Sequence, residues 1–503
     1  MKSGLVSLGE LAASVMPHQG VSQPGVFKTG AIQTQCRGDA QVNISGLTDD
    51  SRQVSPGDLF FCVTGTQQDG HNFAAEALAK GAVALVVERW LPLECPQVLT
   101  ASVRHTMGPM SAAYYGNPAQ KMQIVGVTGT NGKTTVCSLL GDILFAGGMA
   151  AETVGTLSGT FTTPAPIQLH RQLACWHASG VQAVAMEVSS HALQQHRTDG
   201  ICYDLAVFTN LSRDHLDYHK SLENYFAAKA RLFTPELAKQ ALVNLADPYG
   251  QRLASAPAIP TVGFNPSAAM TRARKGGLSL HWRGHEVNLN LQGSFNVANA
   301  LAAAEAAVLL GMDTQQVVAG LEGAAPIPGR FERVPTRLPF VVLVDYAHTP
   351  DALAQVLNSA KEWVEGAGKL RVVFGCGGER DLPKRPQMGR VASELCDHVT
   401  VTSDNPRGEA PESILVDIVA GADGDAICAQ NVDRRSAIRN CLGEATTGDV
   451  VVIAGKGHET TQTIGTQVVP FDDRVVAKEV LAALEAQANL SADQALGIDR
   501  TRA

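Results

Sequence analysis

A chain of 503 residues, 45% hydrophobic and 17% charged, has ordinary globular composition and can bury several cores. At about 100–200 residues per domain, the length predicts three domains. The net charge of −8 comes without a basic tract, which argues against a nucleic-acid-binding surface, and no run of about 18 apolar residues exists to span a membrane.

The first 20 residues carry one Lys near the start, and Glu10 interrupts their apolar stretch, so they read poorly as a signal peptide. Ten cysteines are scattered with no CxxC pair, which makes a zinc or thioredoxin-like motif unexpected and fits a reducing, cytoplasmic compartment. Residues 1–120 contain SGLTDDSRQVSPGDLFFCVTG, a turn-rich stretch leading into an apolar strand. AAEALAKGAVALVVE then reads as helix, Gly stop and strand, so a small α/β domain is predicted.

From Met122, short apolar strands alternate with helices: MQIVGVT, a helix over Thr134–Leu144, VQAVAMEVSS and YDLAVFTNL. This alternation predicts βαβ units and a mostly parallel sheet. NVANALAAAEAAVLL (296–310), followed by Gly311, predicts a helix and its stop. FVVLVDYAHT opens a third block, and Thr349-Pro350 can cap a helix with Leu353, Val356, Leu357 and Ala360 on one face. LRVVFGCGG, HVTVTSDNPR and DVVVIAGKGHE each place polar residues just past an apolar strand, where ligands bind in open α/β sheets.

Strand 124–127 runs into Thr128-Gly129-Thr130-Asn131-Gly132-Lys133-Thr134-Thr135 and then a helix. Glycines let successive N–H groups form a phosphate nest, and the helix N-terminus adds positive partial charge. Lys133 can reach the β/γ-phosphates and the Thr134 hydroxyl can ligate Mg²⁺. A strict Walker spacing wants Gly at 127, where this chain has Val127. The loop alone predicts a bound nucleotide, and a switch protein or another P-loop ATPase would share it.

MEVSSHAL (186–193), NLSRDHLDYH (210–219), YFAAKARLF (225–233), GSFNVANALAA (293–303), PGRFE (328–332) and DYAHTPDAL (345–353) resemble the Mur ligase family, in family order and over essentially the whole chain. The resemblance implies an α/β fold of three domains. These are an N-terminal precursor-binding domain (1–120), a central P-loop ATPase domain with a parallel-rich sheet (121–332), and a C-terminal Rossmann-like domain (333–503). It implies a monomer that uses ATP and Mg²⁺ to activate the D-glutamyl carboxylate of UDP-N-acetylmuramoyl-L-alanyl-D-glutamate as an acyl phosphate, which an incoming amine then attacks. DNPR (404–407), GCGGERD (375–381) and GKGHE (455–459) look like the branch that adds meso-diaminopimelate. A folylpolyglutamate synthase or a lysine-adding relative is the nearest alternative.

By that resemblance, Gly129 to Thr135, Asn296, Arg330 and Asp345 hold ATP, with His348 nearby. Thr134, Glu187, His215 and a carbamylated Lys229 (N6-carboxylysine) hold Mg²⁺, and Lys133, Lys229, His215 and Glu187 are the catalytic set. On residue type alone, Glu187 could be a solvated strand end, His215 and His219 an incomplete zinc pair, Lys229 a surface lysine, and Asn296 and Asn299 helix caps. If Lys229 is to react with CO₂ its amine must be neutral, so partial burial is expected. Asp404, Asn405, Pro406 and Arg407 could be a plain Asn-Pro turn. Read functionally, with Arg380, Gly455 and Glu459 they form a pocket for the far ammonium–carboxylate pair of diaminopimelate, the Arg clamping the carboxylate bidentately. Asp49, Ser51, Thr66, Gln67 and Gln68 match uridine-binding positions. Thr162, Thr163, Ser189, Gln195 and Arg197 match those near the muramoyl peptide. Phe161 stands where relatives often carry Asn, and 66–68 departs from the commoner His-Gln-Ala.

Overall fold

The computed structural model describes residues 6–15, 34–65, 68–159, 161–269, 271–274 and 277–495. It holds three α/β units in chain order. In the first, the sheet runs Thr34–Arg37, Gln97–Thr100, Ala84–Val87, Asp58–Phe61, Gly46–Thr48, parallel except for its first strand. Glu10, which interrupts the apolar N-terminal stretch, closes a capping box with Ser7 at the start of helix Leu8–Ala13. The helix start was therefore legible as Ser-x-x-Glu.

The central sheet is all parallel, in the order Thr261–Phe264, Ala241–Asn244, Leu205–Phe208, Gln123–Thr128, Ala183–Glu187, Ala151–Val154. Its middle strands are buried on both faces, which is why they read as continuous apolar runs. One face packs against helices Lys133–Ala146 and Asn296–Leu309, and the other against Leu169, Leu173, Tyr225 and Phe233. Asn296 and Asn299 are not caps. The N-cap is Phe295, and both Asn side chains are buried and joined to each other, Asn299 Nδ2 to Asn296 Oδ1 at 2.9 Å.

The third sheet runs Glu332–Val334, Val341–Asp345, Val450–Ala454, Leu370–Phe374, His398–Thr402, Ile427–Asn431, antiparallel only at Glu332–Val334. That short strand already belongs to the third unit, as does Phe331, which packs in its core. Thr349 caps helix Pro350–Lys361, and Leu353, Val356, Leu357 and Ala360 are the buried face, as the spacing predicts.

Beneath the carboxyl ends of these strands lies a fully enclosed ion pair. Arg434 Nε and Nη2 donate to the two Asp473 oxygens at 2.8 and 2.7 Å. The guanidinium also donates to Ala454 O at 2.8 Å and Ser403 O at 3.3 Å. Those carbonyls immediately precede Gly455 and Asp404, so the pair props the two loops that carry the third unit's polar residues. Asp473→Ala leaves a buried guanidinium unpaired and is expected to destabilise the chain by about 3–5 kcal/mol, read as a fall in denaturant midpoint. A change below about 1 kcal/mol would show that the strut is not structural.

Candidate active site

The phosphate loop bends at Gly129 and Gly132, the latter at φ +88°. A Cβ on Gly132 would lie 2.3 Å from Asn299 Oδ1, so both conformation and space demand glycine there. Val127 is buried in the strand, so the chain leaves the sheet two residues later than a strict Walker loop would. Neighbouring segments fix the loop. Thr130 N donates to Asn210 O and Asn131 N to Asn210 Oδ1, each at 2.9 Å, and Thr209 Oγ1 donates to Asn131 O at 2.6 Å. Lys133 Nζ arches over the loop to Gly129 O at 3.0 Å and Thr130 O at 2.8 Å. Desolvation pulls its ammonium below the usual lysine range, against the pull of Glu187 and Asp214.

Glu187 ends the strand beside the loop and is buried, not solvated. Thr156 N and Thr156 Oγ1 donate to its oxygens at 2.8 and 3.1 Å, a partner 31 residues away with no sequence signal. Lys229 is buried as expected, its Nζ donating to Gly129 O at 2.7 Å and lying 4.6 Å from the Tyr225 ring centre. Burial first, then the charge of Lys133, hold its amine well below 10.5. His215 is pushed down to about 3, chiefly by burial, so its ring is a neutral imidazole at neutral pH. His219 does not complete a zinc pair, because its Nε2 faces Ser190 Oγ at 2.9 Å.

Across the cleft the third unit supplies a second wall. Arg330 Nη2 donates to Thr134 Oγ1 at 2.9 Å while its guanidinium stacks on Tyr346, 4.5 Å from the ring centre. Asp345 spends its oxygens on the amides of Phe331 and Ala347, at 2.6 and 2.7 Å, and burial raises it to about 6. Asp214, which the sequence reading passed over in favour of its neighbour, is a buried carboxylate facing His215 at 3.2 Å, His348 at 3.8 Å and Lys384 at 3.9 Å. The walls enclose about 960 Å³ lined by Thr130 to Thr135, Glu187, His215, Asn299, Arg330, Asp345, His348 and Arg380 among others.

The 404–407 turn does not line that volume itself, but it abuts Arg380, which does. A Cβ on Gly377 would stand 2.9 Å from Arg407 Nη1 and 3.7 Å from Arg380 Cγ, which puts both arginines around one glycine. Arg407 is lowered by burial and then by the like charge of Arg380. Its Nη1 donates to Gly378 O at 2.7 Å. Asn405 Nδ2 donates to Glu459 Oε2 at 3.0 Å, and buried Lys456 donates to the same oxygen at 2.9 Å while standing 3.8 Å from Asp404. Lys456 lay inside the quoted GKGHE motif and was overlooked, although a buried lysine needs carboxylates around it.

Thr163, Ser189, Gln195 and Arg197 form one network. Ser189 N donates to Thr163 Oγ1 at 3.1 Å, Arg197 Nη1 to Thr163 O at 3.1 Å, and Arg197 Nη2 to Gln195 Oε1 at 2.7 Å. Thr162 and Ser189 reach the cleft. Phe161 is exposed, its ring 5.5 Å from the Arg197 guanidinium. Asp49 and Ser51 lie in the first unit and do not line the cleft, but Arg104 stands near enough for its charge to act on both Asp49 and Arg197. Gln68 is exposed, while Thr66 and Gln67 lie outside the described residues.

Residues 43–116 match the family model described as Mur ligase family, catalytic domain. Residues 127–307 match Mur ligase middle domain, and 329–457 match Mur ligase, glutamate ligase domain. A UDP-N-acetylmuramoyl-L-alanyl-D-glutamate–2,6-diaminopimelate ligase of Gloeobacter violaceus is 45% identical over 464 residues, covering 88% of this chain and 94% of that protein. The enzyme of the same name from Xylella fastidiosa (strain 9a5c) is 44% identical over 475 residues, covering 89% and 95%. A solved structure of a ligase of that name superposes with TM-score 0.63 at 33% identity, covering 96% of this chain and 99% of the other. The fold is also that of a MurF ligase from Thermotoga maritima in complex with ADP, with TM-score 0.59 at 19% identity, covering 87% and 96%.

Proposed function

The chain belongs to the Mur ligase family, an ATP-dependent amide-bond-forming ligase family, and from that premise we propose that it joins meso-2,6-diaminopimelate to the D-glutamyl carboxylate of UDP-N-acetylmuramoyl-L-alanyl-D-glutamate, with release of ADP and phosphate. The observation that carries the choice of amino acid is the meeting of Arg380 and Arg407. The Arg407 guanidinium and the Arg380 side chain approach one glycine, Arg407 is lowered by burial and then by the like charge of Arg380, and an anion placed between the two guanidiniums relieves the repulsion. The far carboxylate of diaminopimelate is such an anion, and Glu459 with Asp404 receives its ammonium. L-lysine lacks that carboxylate and leaves the repulsion in place.

The reaction brings two anions together, a carboxylate and the γ-phosphate, so it needs in-line positioning and neutral surroundings more than covalent help. In our reading Gly129 to Thr135 cradle the phosphates, Lys133 moves from its loop carbonyls to the β/γ oxygens, and Arg330 adds charge from the opposite wall. Asn296 and Asp345 shape the nucleoside end. The chain's donors fit Mg²⁺: a buried carboxylate on Glu187, the Thr134 hydroxyl, and a neutral His215 ring, all on one cavity. Bound there, Mg²⁺ would neutralise phosphate charge and polarise the oxygen under attack. Burial and the charge of Lys133 lower the Lys229 amine and so favour the neutral form, which can add CO₂, forming N–COO⁻ and releasing one proton. The carbamate places a negative charge beside Lys133 and supplies oxygen ligands. Thr162, Thr163, Ser189, Gln195 and Arg197 hold the muramoyl peptide, and Asp49, Ser51, Thr66, Gln67 and Gln68 the uridine.

Phosphate release with the UDP-muramoyl dipeptide and a panel of amino acids tests the reading. Meso-diaminopimelate is expected to be used far better than L-lysine or L-glutamate, and a clear preference for either of those refutes the assignment. Arg407→Lys keeps the charge but loses the bidentate fork, so KM for diaminopimelate is expected to rise about tenfold with KM for ATP unchanged. An unaltered KM for the amino acid would remove Arg407 from its pocket.

A further inference from the structure

Where the first unit meets the second, a cluster stands that the ligase reaction does not use. His105 lies in the first turn of helix Val103–Tyr114, while His196 and Asp199 follow helix Ser190–Gln194 of the central unit. His196 Nδ1 is 2.7 Å, and His105 Nε2 3.1 Å, from the same oxygen, Asp199 Oδ2. The two imidazoles lie 4.3 Å apart at 31°. Among the described residues no other three His, Cys, Asp or Glu ligand atoms converge within 4.8 Å.

The joint is stiff. A Cβ on Gly108 would stand 2.2 Å from Asp199 O, so only glycine lets the helix reach the loop. His170 Nε2 meets that carbonyl at 3.2 Å, and Arg231 Nη2 holds both Asp199 carboxylate oxygens at 2.7 and 2.8 Å. His196 itself is held at φ +57°, a left-handed conformation uncommon outside glycine.

We propose that His105, His196 and Asp199 form a binding site for a borderline divalent transition-metal ion of the zinc class, tying the first unit to the second. Two imidazole nitrogens and one carboxylate oxygen are the donor types such an ion takes. With metal–ligand bonds of about 2.0–2.2 Å, tetrahedral ligands sit roughly 3.4 Å apart, so from 3.1 and 2.7 Å His105 Nε2 and His196 Nδ1 need to part from the carboxylate oxygen by about 0.3 and about 0.7 Å. The His105 and His196 side chains are 37% and 28% exposed, leaving the fourth position to water. On binding, the imidazole proton that faces Asp199 moves to the ring's other nitrogen or leaves to solvent. Arg231 stays on Oδ1 and orients the carboxylate, while its positive charge keeps the affinity below that of an all-thiolate structural site. Arg104 and Arg197, adjacent in sequence to the two histidines, flank the expected precursor site, so the ion would stiffen the surface on which the precursor lies.

Zinc chloride titrated calorimetrically into the full chain without nucleotide tests this. We expect one site per chain, weakened at least tenfold in both His105→Gln and His196→Gln, and a zinc-dependent rise in melting temperature that both variants lose. Equal zinc binding in wild type and both variants overturns the proposal, as does a site lost only in His215→Gln, which would assign the ion to the cleft. Cobalt(II) bound to wild type gives a reading independent of the variants. Intense visible bands of a four-coordinate ion are expected, and a spectrum of six-coordinate aqua type refutes the site.

Discussion

Lys133→Ala is expected to lower turnover by roughly 10³-fold, about 4 kcal/mol of transition-state stabilisation. Among the described residues its ammonium hydrogen-bonds only carbonyls of its own loop, so the substitution leaves no distant hydrogen-bond partner unpaired and leaves the helix Lys133–Ala146 intact. The melting temperature is therefore expected to stay near wild type while phosphate release at saturating ATP collapses. A turnover within tenfold of wild type would take Lys133 out of the reaction.

Lys229→Ala is expected to cost at least about 10²-fold in turnover and to be partly restored by added acetate or formate, which can occupy the space of a carbamate. Wild-type enzyme in CO₂-depleted buffer should lose activity that bicarbonate restores. The pH dependence has a definite sign. The amine is held well below 10.5, so the unfolded chain binds more protons than the folded one between the lowered value and 10.5. Stability therefore rises with pH across that window, and the uncarbamylated protein weakens as pH falls through it. Full activity in Lys229→Ala, or no response to CO₂ removal, would contradict the carbamate.

Much of the fold was legible because parallel strands buried on both faces are written as apolar runs with polar residues immediately beyond. The runs ending at Thr128, Glu187, Asp345, Thr402 and Ala454 each deliver their site residues that way. Thr349-Pro350 was likewise readable, since a cap and a fixed φ act within four residues. What could not be read were pairings across long separations. Nothing local to Thr156 says that it holds Glu187, nor that Asp214 faces His348 and Lys384 from another unit. Asp345 lines the cleft, but nothing local says that its oxygens also accept from the backbone amides of Phe331 and Ala347. Asn296 and Asn299 looked like caps because their sequence position allows it, and only packing decides that they bond each other.

Arg330 sits on the stretch between the second and third units, and its neighbours decide which of them it travels with. Phe331 N is pinned to Asp345, Gly329 N donates to Glu332 at 2.7 Å, and Glu332 is already paired in the third sheet. The guanidinium is thus cargo of the third unit, although it touches Thr134 of the second. A pivot upstream of Gly329 would carry that positive charge along with the third unit. On the proposed reading, nucleotide grip and the posture of the third unit would then be one variable, and a ligand that fixed either one would fix both.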